Sequence, residues 1–290
     1  MKWLQFIIPI SPSIEEACSN RLLELGATAA FTYLSPDGSL FLLHGIFPRE
    51  SNQERIKQAI SDYLSSLQGL SLDIPAGEIV VKEIDEGVYL NQWKEYFQPI
   101  HFGNDLVVEP VWISGSARPG EKILKIDPGM AFGTGHHFTT QFCLQWLCEQ
   151  KNRLRSLVDV GCGSGIVAIA AALLGIEQVL ALDYDPAVMP SAKRNIERNC
   201  MEGNILLVAA DILLPPFRKK FDAVIANLHT NLLIEAKENL ISLLKPGSSL
   251  VLTGIGHGRR EEIFQGYAEL SLQAVQEDPH EEWIGIWYQK

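Results

Sequence analysis

Asp159-x-Gly161-x-Gly163-x-Gly165 follows the apolar run "LVDVG" and opens another apolar stretch, the layout of a strand, a sharp turn and a helix. Glycines let such a turn close and let a ligand approach the main chain. Pyrophosphate loops space them G-x-G-x-x-G. Here the spacing is G-x-G-x-G, and an acid two residues ahead of it is unfavourable beside an anion. The same acid suits a cationic amino-acid moiety. Asp183 ends the next apolar run, 22 residues beyond Gly161, where a carboxylate can accept both hydroxyls of a ribose. Asp211, after "ILLVAA", stands where an acid can meet an adenine amino group. Asn227 closes "FDAVIAN", and its carboxamide can accept from a nucleophilic amine while donating to a ligand. Plainer roles stay open for each: a tight turn for the glycines, a helix cap for Asp183, a backbone-satisfied amide for Asn227. Asp185 is the better capping candidate, and His229 reads as structural or partner-facing.

A second glycine turn lies upstream, in "MAFGTGHHFTTQFCLQW", residues 130–146. Two such turns cannot both be the phosphate loop of one nucleotide fold. His136 and His137 resemble metal ligands, but no third ligand follows at a usable spacing, so no metal is expected.

The elements that must hold these residues are legible as periodic patterns. From about residue 101, "LVVEPVW", "KILKID", "LVDVG", "QVLALDYD", "FDAVIAN" and "SSLVLTGI" are apolar runs, the last four separated by helical segments. That pattern predicts a mostly parallel sheet covered on both faces, with its ligand at the carboxyl ends of the strands. "EEWIGIWYQ" predicts a last, antiparallel strand. The first third reads differently. "KWLQFIIPI", a helix after a Ser13/Glu16 capping box, a hairpin across Ser35-Pro36-Asp37-Gly38, a helix after a Ser51/Glu54 capping box and "EIVVKEI" give the order βαββαβ. That is the ferredoxin-like split motif. It holds no evident catalytic residues and reads as a recognition module. "DEGVYLNQWKEYFQP" predicts a connecting helix ended by Pro99. The expected division is residues 1–84, a helical linker over 85–100, and a catalytic domain over 101–290.

The 290 residues suit two domains, and 47% hydrophobic with 20% charged residues suits a soluble globular chain. No apolar run is long enough for a membrane helix. Five scattered cysteines without metal-ligand pairing read as reduced thiols in a cytoplasmic protein. The net charge of −11 argues against tight nucleic-acid binding. Acid is densest in the first hundred residues, which also suits an acidic face steering a basic partner. A nucleotide-dependent oxidoreductase would use a similar sheet, but the glycine spacing and Asp159 disfavour it.

"DVGCGSG" with "LALDYD" resembles motif I and its following acid in class I S-adenosylmethionine-dependent methyltransferases. "DPGMAFGTGHHFTTQFCLQWL", "NQWKEYFQPIHFGNDLVVEPVW", "VIANL" and the small N-terminal domain together resemble the ribosomal protein L11 methyltransferases, in the same order over almost the whole chain. The resemblance implies a Rossmann-like α/β methyltransferase domain behind a ferredoxin-like α+β domain that grips the substrate. It implies methyl transfer from S-adenosylmethionine, released as S-adenosylhomocysteine, to lysine and N-terminal amines of the basic protein L11. The charge and the short apolar runs predict no direct nucleic-acid or membrane binding, and a monomer is expected. Another protein's lysine or amide side chain is the alternative acceptor. Family donor contacts fall on Thr140, Gly161, Asp183 and Asn227, to which the residue reading adds Gly163, Asp159, Asp211 and Phe132. The turn from Phe132 to Thr140 would fold over the donor, with Phe132 and Phe138 lining the passage for a lysine stem. Three departures bear on substrate choice: His136-His137-Phe138 replaces the common Thr-His-Pro, Leu228-His229-Thr230-Asn231 replaces a run of small residues or proline, and Tyr89 replaces a common tryptophan.

Overall fold

In the computed structural model the described residues are 2–11, 14–35, 40–68, 75, 77–85, 98–127, 135–214, 219–270, 272–280 and 283–290. Contacts divide the chain into two units, Met1–Tyr96 and Phe97–Lys290.

The first unit runs β1 (Lys2–Ile10), α1 (Glu15–Glu24), β2 (Ala29–Leu34), β3 (Phe41–Pro48), α2 (Gln53–Gln68) and β4 (Val80–Asp85). Its antiparallel sheet has the order β2-β3-β1-β4. Alternate residues of β1, Leu4, Phe6, Ile8 and Ile10, are buried, as are Ile56 and Ile60 one helical turn apart on α2. These two periods bring one sheet face against the helices, where they share a core with Leu22, Leu43 and Phe47. Ser35 N–H donates to Leu40 O (2.7 Å) and Leu40 N–H to Ser35 Oγ (3.0 Å), closing the predicted hairpin.

The first capping box falls partly outside the described residues, and the second needs correction. Helix α1 has Ile14 at its N-cap with no side-chain hydrogen bond, and Ser13 lies outside the described residues. Helix α2 is capped one residue later than expected: Asn52 Oδ1 accepts from Arg55 N–H at 3.0 Å. Ser51 N–H donates instead to Pro48 O (3.0 Å), so Ser51 belongs to the turn leaving β3. The predicted linker helix falls largely on residues 86–97, outside those described.

The second unit begins with a small sheet of β5 (Ile100–Phe102), β6 (Leu106–Pro110) and β7 (Lys122–Ile126). Then come α3 (Phe138–Gln150), β8 (Ser156–Val160), α4 (Ile166–Leu173), β9 (Gln178–Asp183), α5 (Met189–Arg198), β10 (Ile205–Ala209), β11 (Phe221–Asn227), α6 (Thr230–Glu235) and α7 (Lys237–Ser242). The chain closes with β12 (Leu244–Gly256), α8 (Arg260–Tyr267), β13 (Gln273–Pro279) and β14 (Trp283–Gln289). The seven-stranded sheet has the order β10-β9-β8-β11-β12-β14-β13. Strands β10 through β12 are parallel and β14 is antiparallel to both neighbours. Ala223, Ile225 and Val251 pack with α3 and α4 on one face, and Val224, Leu250 and Leu252 with Leu233, Leu240 and Ile263 on the other. Burial on both faces is why these strands read as continuous apolar runs.

Strand order reverses between β8 and β11, the place where open α/β sheets bind their ligands, beyond the carboxyl ends of the strands. Strand β13 was not legible as a strand, because "QAVQEDP" is almost wholly exposed at the sheet edge and carries no apolar alternation.

Candidate active site

The loop after β8 is built by positive φ at Gly161 (74°), Gly163 (49°) and Gly165 (80°). Gly161 N–H and Cys162 N–H both donate to Leu182 O, at 2.9 and 3.0 Å, tying the loop to β9. A Cβ at Gly161 would overlap the Leu228 side chain, and one at Gly254 would overlap the Leu228 carbonyl. Leu228 directly follows Asn227, so these two glycines let the end of β11 lie between the loop and β12. Gly254→Ala is expected to displace that segment and cost about 2 kcal/mol or more of stability, by forcing a side chain into close contact at positive φ; denaturant unfolding measures it.

Asp183 is half-buried at the end of β9. Its Oδ2 accepts from Gly163 N–H (2.9 Å) and its Oδ1 from Asp185 N–H (3.0 Å). Each oxygen retains a lone pair, so the carboxylate can hold the glycine loop and still accept hydroxyls. Asp211 lies just beyond the neighbouring strand β10, and Ala210 N–H donates to Asp183 O (2.8 Å). Asp185 caps no helix: its Oδ1 accepts from Ala187 N–H (2.8 Å) in a local turn, and α5 starts later, at Met189.

Asp159 is 2% exposed, and its Oδ2 accepts from Ala168 N–H at 3.1 Å. Gly165, the N-cap of α4, has no side chain to offer, so Asp159 satisfies an open N–H of that helix from the preceding strand. Burial raises the Asp159 carboxyl to about 7; the Ala168 N–H opposes the shift and the nearby Asp183 carboxylate adds to it. An acid that keeps its proton in the fold but loses it in the unfolded chain lowers stability as pH rises from about 4 to 7, with no further loss above. A cation bound beside it has the opposite effect, favouring the ionised form. Donor affinity is therefore expected to rise through pH 6–8, with proton release near pH 6.5, and to become pH-flat in Asp159→Asn. Titration calorimetry in buffers of different ionisation enthalpy measures both.

Thr140 is 1% exposed, and its Oγ1 is buried without a hydrogen-bond partner among the described residues. Thr139, equally buried, is held from two sides. His137 is the N-cap of α3: its Nδ1 accepts from Thr139 N–H (3.3 Å) and lies 2.8 Å from Thr139 Oγ1. Burial, aided by His280, pushes His137 down to about 4, so it is neutral and Nδ1 is the lone-pair nitrogen. Thr139 Oγ1–H then donates to His137, and Asn227 Nδ2–H donates to Thr139 Oγ1 at 3.1 Å. This chain fixes which end of the Asn227 carboxamide is nitrogen. Sequence reasoning missed Thr139, because two adjacent threonines carry no mark of which one faces the next strand.

The aromatic residues gather at the same end. His137 packs edge-on to Trp283 (5.1 Å), and Phe138 stacks on His280 (4.7 Å). Phe132 lies outside the described residues. His229 caps α6, accepting from Leu232 N–H at 3.2 Å, which favours its structural reading. Among the described residues no group of three or more His, Cys, Asp or Glu side chains is placed to hold a metal. A cavity of about 420 Å³, lined by Gln178, Glu202, Ile205 and Phe221, opens at the opposite, amino-terminal ends of the strands and includes none of these residues.

The strand order, the glycine loop after the first long parallel strand and the acid ending the next define a class I S-adenosylmethionine-dependent methyltransferase domain. The profile of the ribosomal protein L11 methyltransferase (PrmA) family matches residues 2–290. Ribosomal protein L11 methyltransferase of Thermoanaerobacter pseudethanolicus is 32% identical over 308 residues, covering 99% of this chain and 98% of the relative. That of Pseudomonas paraeruginosa is 34% identical over 293 residues, with the same coverage. The crystal structure of ribosomal protein L11 methylase from Lactobacillus delbrueckii subsp. bulgaricus superposes with a TM-score of 0.61 at 31% identity, covering 66% of this chain and 98% of that one. The chain belongs to the ribosomal protein L11 methyltransferase family.

Proposed function

We propose that this protein transfers methyl groups from S-adenosylmethionine to lysine side-chain and N-terminal amines of ribosomal protein L11. The observation that carries the reading is Asn227, half-buried at the switch point of the sheet beside the glycine loop, its carboxamide nitrogen committed to Thr139. The remaining amide oxygen is then the acceptor for an incoming N–H. The family match across both units supports the choice of acceptor.

The site fits the donor: the buried Thr140 hydroxyl has no hydrogen-bond partner among the described residues, Gly161 leaves no room for a side chain, and the two acids differ in setting. Asp183 would take the ribose hydroxyls, Asp211 the adenine amino group, and the glycine loop with Asp159 the methionine end; Thr140 would complete the pocket. When bound, the donor supplies a methyl group already activated on a sulfonium. What the chain must do is hold an unprotonated amine in line with it, and such positioning contributes several kcal/mol. Deprotonating a free lysine at pH 7 costs roughly 5 kcal/mol, and an α-amine much less. Exclusion of water around the acceptor would disfavour the ammonium form, Asn227 would orient the neutral amine, and water would take the proton.

In this reading the N-terminal unit recognises the basic substrate, its excess acid favouring the encounter. The enzyme acts in the cytoplasm as a monomer and binds no nucleic acid directly. The deciding experiment is transfer of labelled methyl groups to purified L11, total ribosomal protein and ribosomal RNA. Label on L11 supports the reading. Label confined to another protein keeps the methyltransferase and overturns its substrate.

A further inference from the structure

Asn195 is fully buried, at 0% exposure, on the inner face of α5, the helix that follows the strand ending at Asp183. Its side chain reaches two other parts of the domain. Nδ2–H donates to Ser164 O, the carbonyl in the middle of the glycine loop, at 3.0 Å. Oδ1 accepts from Asp127 N–H, just past the end of β7, at 3.3 Å. One amide therefore touches the loop after β8 and the strand end that leads into the upstream glycine turn, and it is anchored on the helix behind the ribose-side acid.

Helix α5 packs directly on the loop: a Cβ at Gly165 would sit 3.6 Å from the Ala192 Cβ, in ordinary contact. With Gly163 N–H held by Asp183 and Ser164 O held by Asn195, two peptides of the loop, one apart, are fixed from β9 and from α5. Asn199, one turn further on, does a different job. Its Oδ1 accepts from Lys125 N–H and its Nδ2 donates to Lys125 O, both at 2.8 Å, so it pairs with β7 as an extra strand would and touches no residue of the loop. Two asparagines four apart on one helix face thus separate two tasks: one fastens the helix to β7, the other also shapes the glycine loop.

We propose that Asn195 is a positioning residue for donor binding: it sets the glycine loop against the end of β7, so that the loop's main-chain groups meet the donor in register. This rests on assigning the glycine loop to S-adenosylmethionine. A carboxylate of the same shape can still accept from Asp127 N–H but cannot donate to Ser164 O, and it faces that carbonyl with like partial charge. Loss of a buried hydrogen bond, with the carbonyl left unsatisfied, is worth about tenfold or more in an equilibrium constant.

The test uses the full chain and S-adenosylhomocysteine as probe. Binding is measured by titration calorimetry well below the unfolding midpoint, with kcat and donor KM measured alongside on L11. The parent protein is measured first: if it does not bind S-adenosylhomocysteine, the donor assignment itself fails. Given parental binding, Asn195→Asp is expected to raise Kd and donor KM at least about tenfold while kcat at saturating donor stays near parental. Asn199→Ala is expected to lower the unfolding midpoint and leave Kd within about twofold of the parent, because its side chain bonds Lys125 and the Asn195 main-chain carbonyl (2.8 Å) but neither the Asn195 carboxamide nor the loop. Parental Kd in Asn195→Asp with a lowered midpoint, or equal losses of affinity in both variants, overturns the proposal by reducing Asn195 to a helix fastener. If Asn195→Asp does not fold, Asn195→Ser, which removes the reach to Ser164 without adding charge, is held to the same outcomes.

Discussion

With Asp183→Ala, the dissociation constant for S-adenosylhomocysteine is expected to rise at least about a hundredfold. Two effects add. The carboxylate's bonds to ribose hydroxyls are charge-assisted and contribute roughly 1.5–3 kcal/mol each, so losing a pair gives about 10²- to 10⁴-fold by itself. The same carboxylate also holds Gly163 N–H (2.9 Å) and Asp185 N–H (3.0 Å), so the substitution frees the middle of the glycine loop as well. Asp183→Asn separates the two. Its amide oxygen can still accept from one main-chain N–H while the charge is gone, so it is expected to bind more tightly than Asp183→Ala and more weakly than the parent. Calorimetry on the three proteins, with circular dichroism to confirm folding, gives the ordering. Parental affinity in Asp183→Ala would remove this residue from the donor site.

Asn227→Ala is expected to act on kcat. Removing one preorganised polar group from a reacting centre typically costs about 10²- to 10³-fold in kcat, and Asn227 is the polar side chain at the end of the strand beside the glycine loop. Thr139→Val is expected to lose about tenfold, because Asn227 remains but its carboxamide is free to rotate once the 3.1 Å bond to Thr139 is gone. Thr139→Ser keeps the hydroxyl and is expected to stay near parental. In the double variant the loss should equal that of Asn227→Ala alone, since Thr139 acts through Asn227. Additive losses would show that Thr139 has a role of its own, and full turnover in Asn227→Asp would rule out orientation by the amide. Single-turnover methyl transfer to L11, at saturating donor, measures all five.

The readings that held did so for local reasons. The apolar runs that became β8, β9, β11 and β12 are buried on both faces, so their composition alone announces them. The readings that failed turned on which of several equivalent groups is used. Ser51 and Asn52 are both good caps, but the helix begins at Gln53, so Asn52 stands at the cap position and its Oδ1 accepts from Arg55 N–H. Asp185 has the right type for a cap, but α5 begins beyond its reach. A different case is Asp159, whose role as a surrogate cap for α4, a helix that starts on a glycine, adds to the cation-facing role read for it.

By itself, then, the sequence determined the periodic elements, the glycine loop and the acid that ends the second long strand. Those depend on side-chain period and on backbone conformations that few residue types adopt, and both are local. Strand order was decided in three dimensions, and with it every long-range pairing around the site. Asn227 meets Thr139 across 88 positions, and Asn195 meets Ser164 and Asp127 across 31 and 68. An asparagine reads the same in a sequence whether its carboxamide turns to a ligand, a neighbouring side chain or a buried carbonyl; only packing, which makes an unsatisfied polar group costly, selects among them.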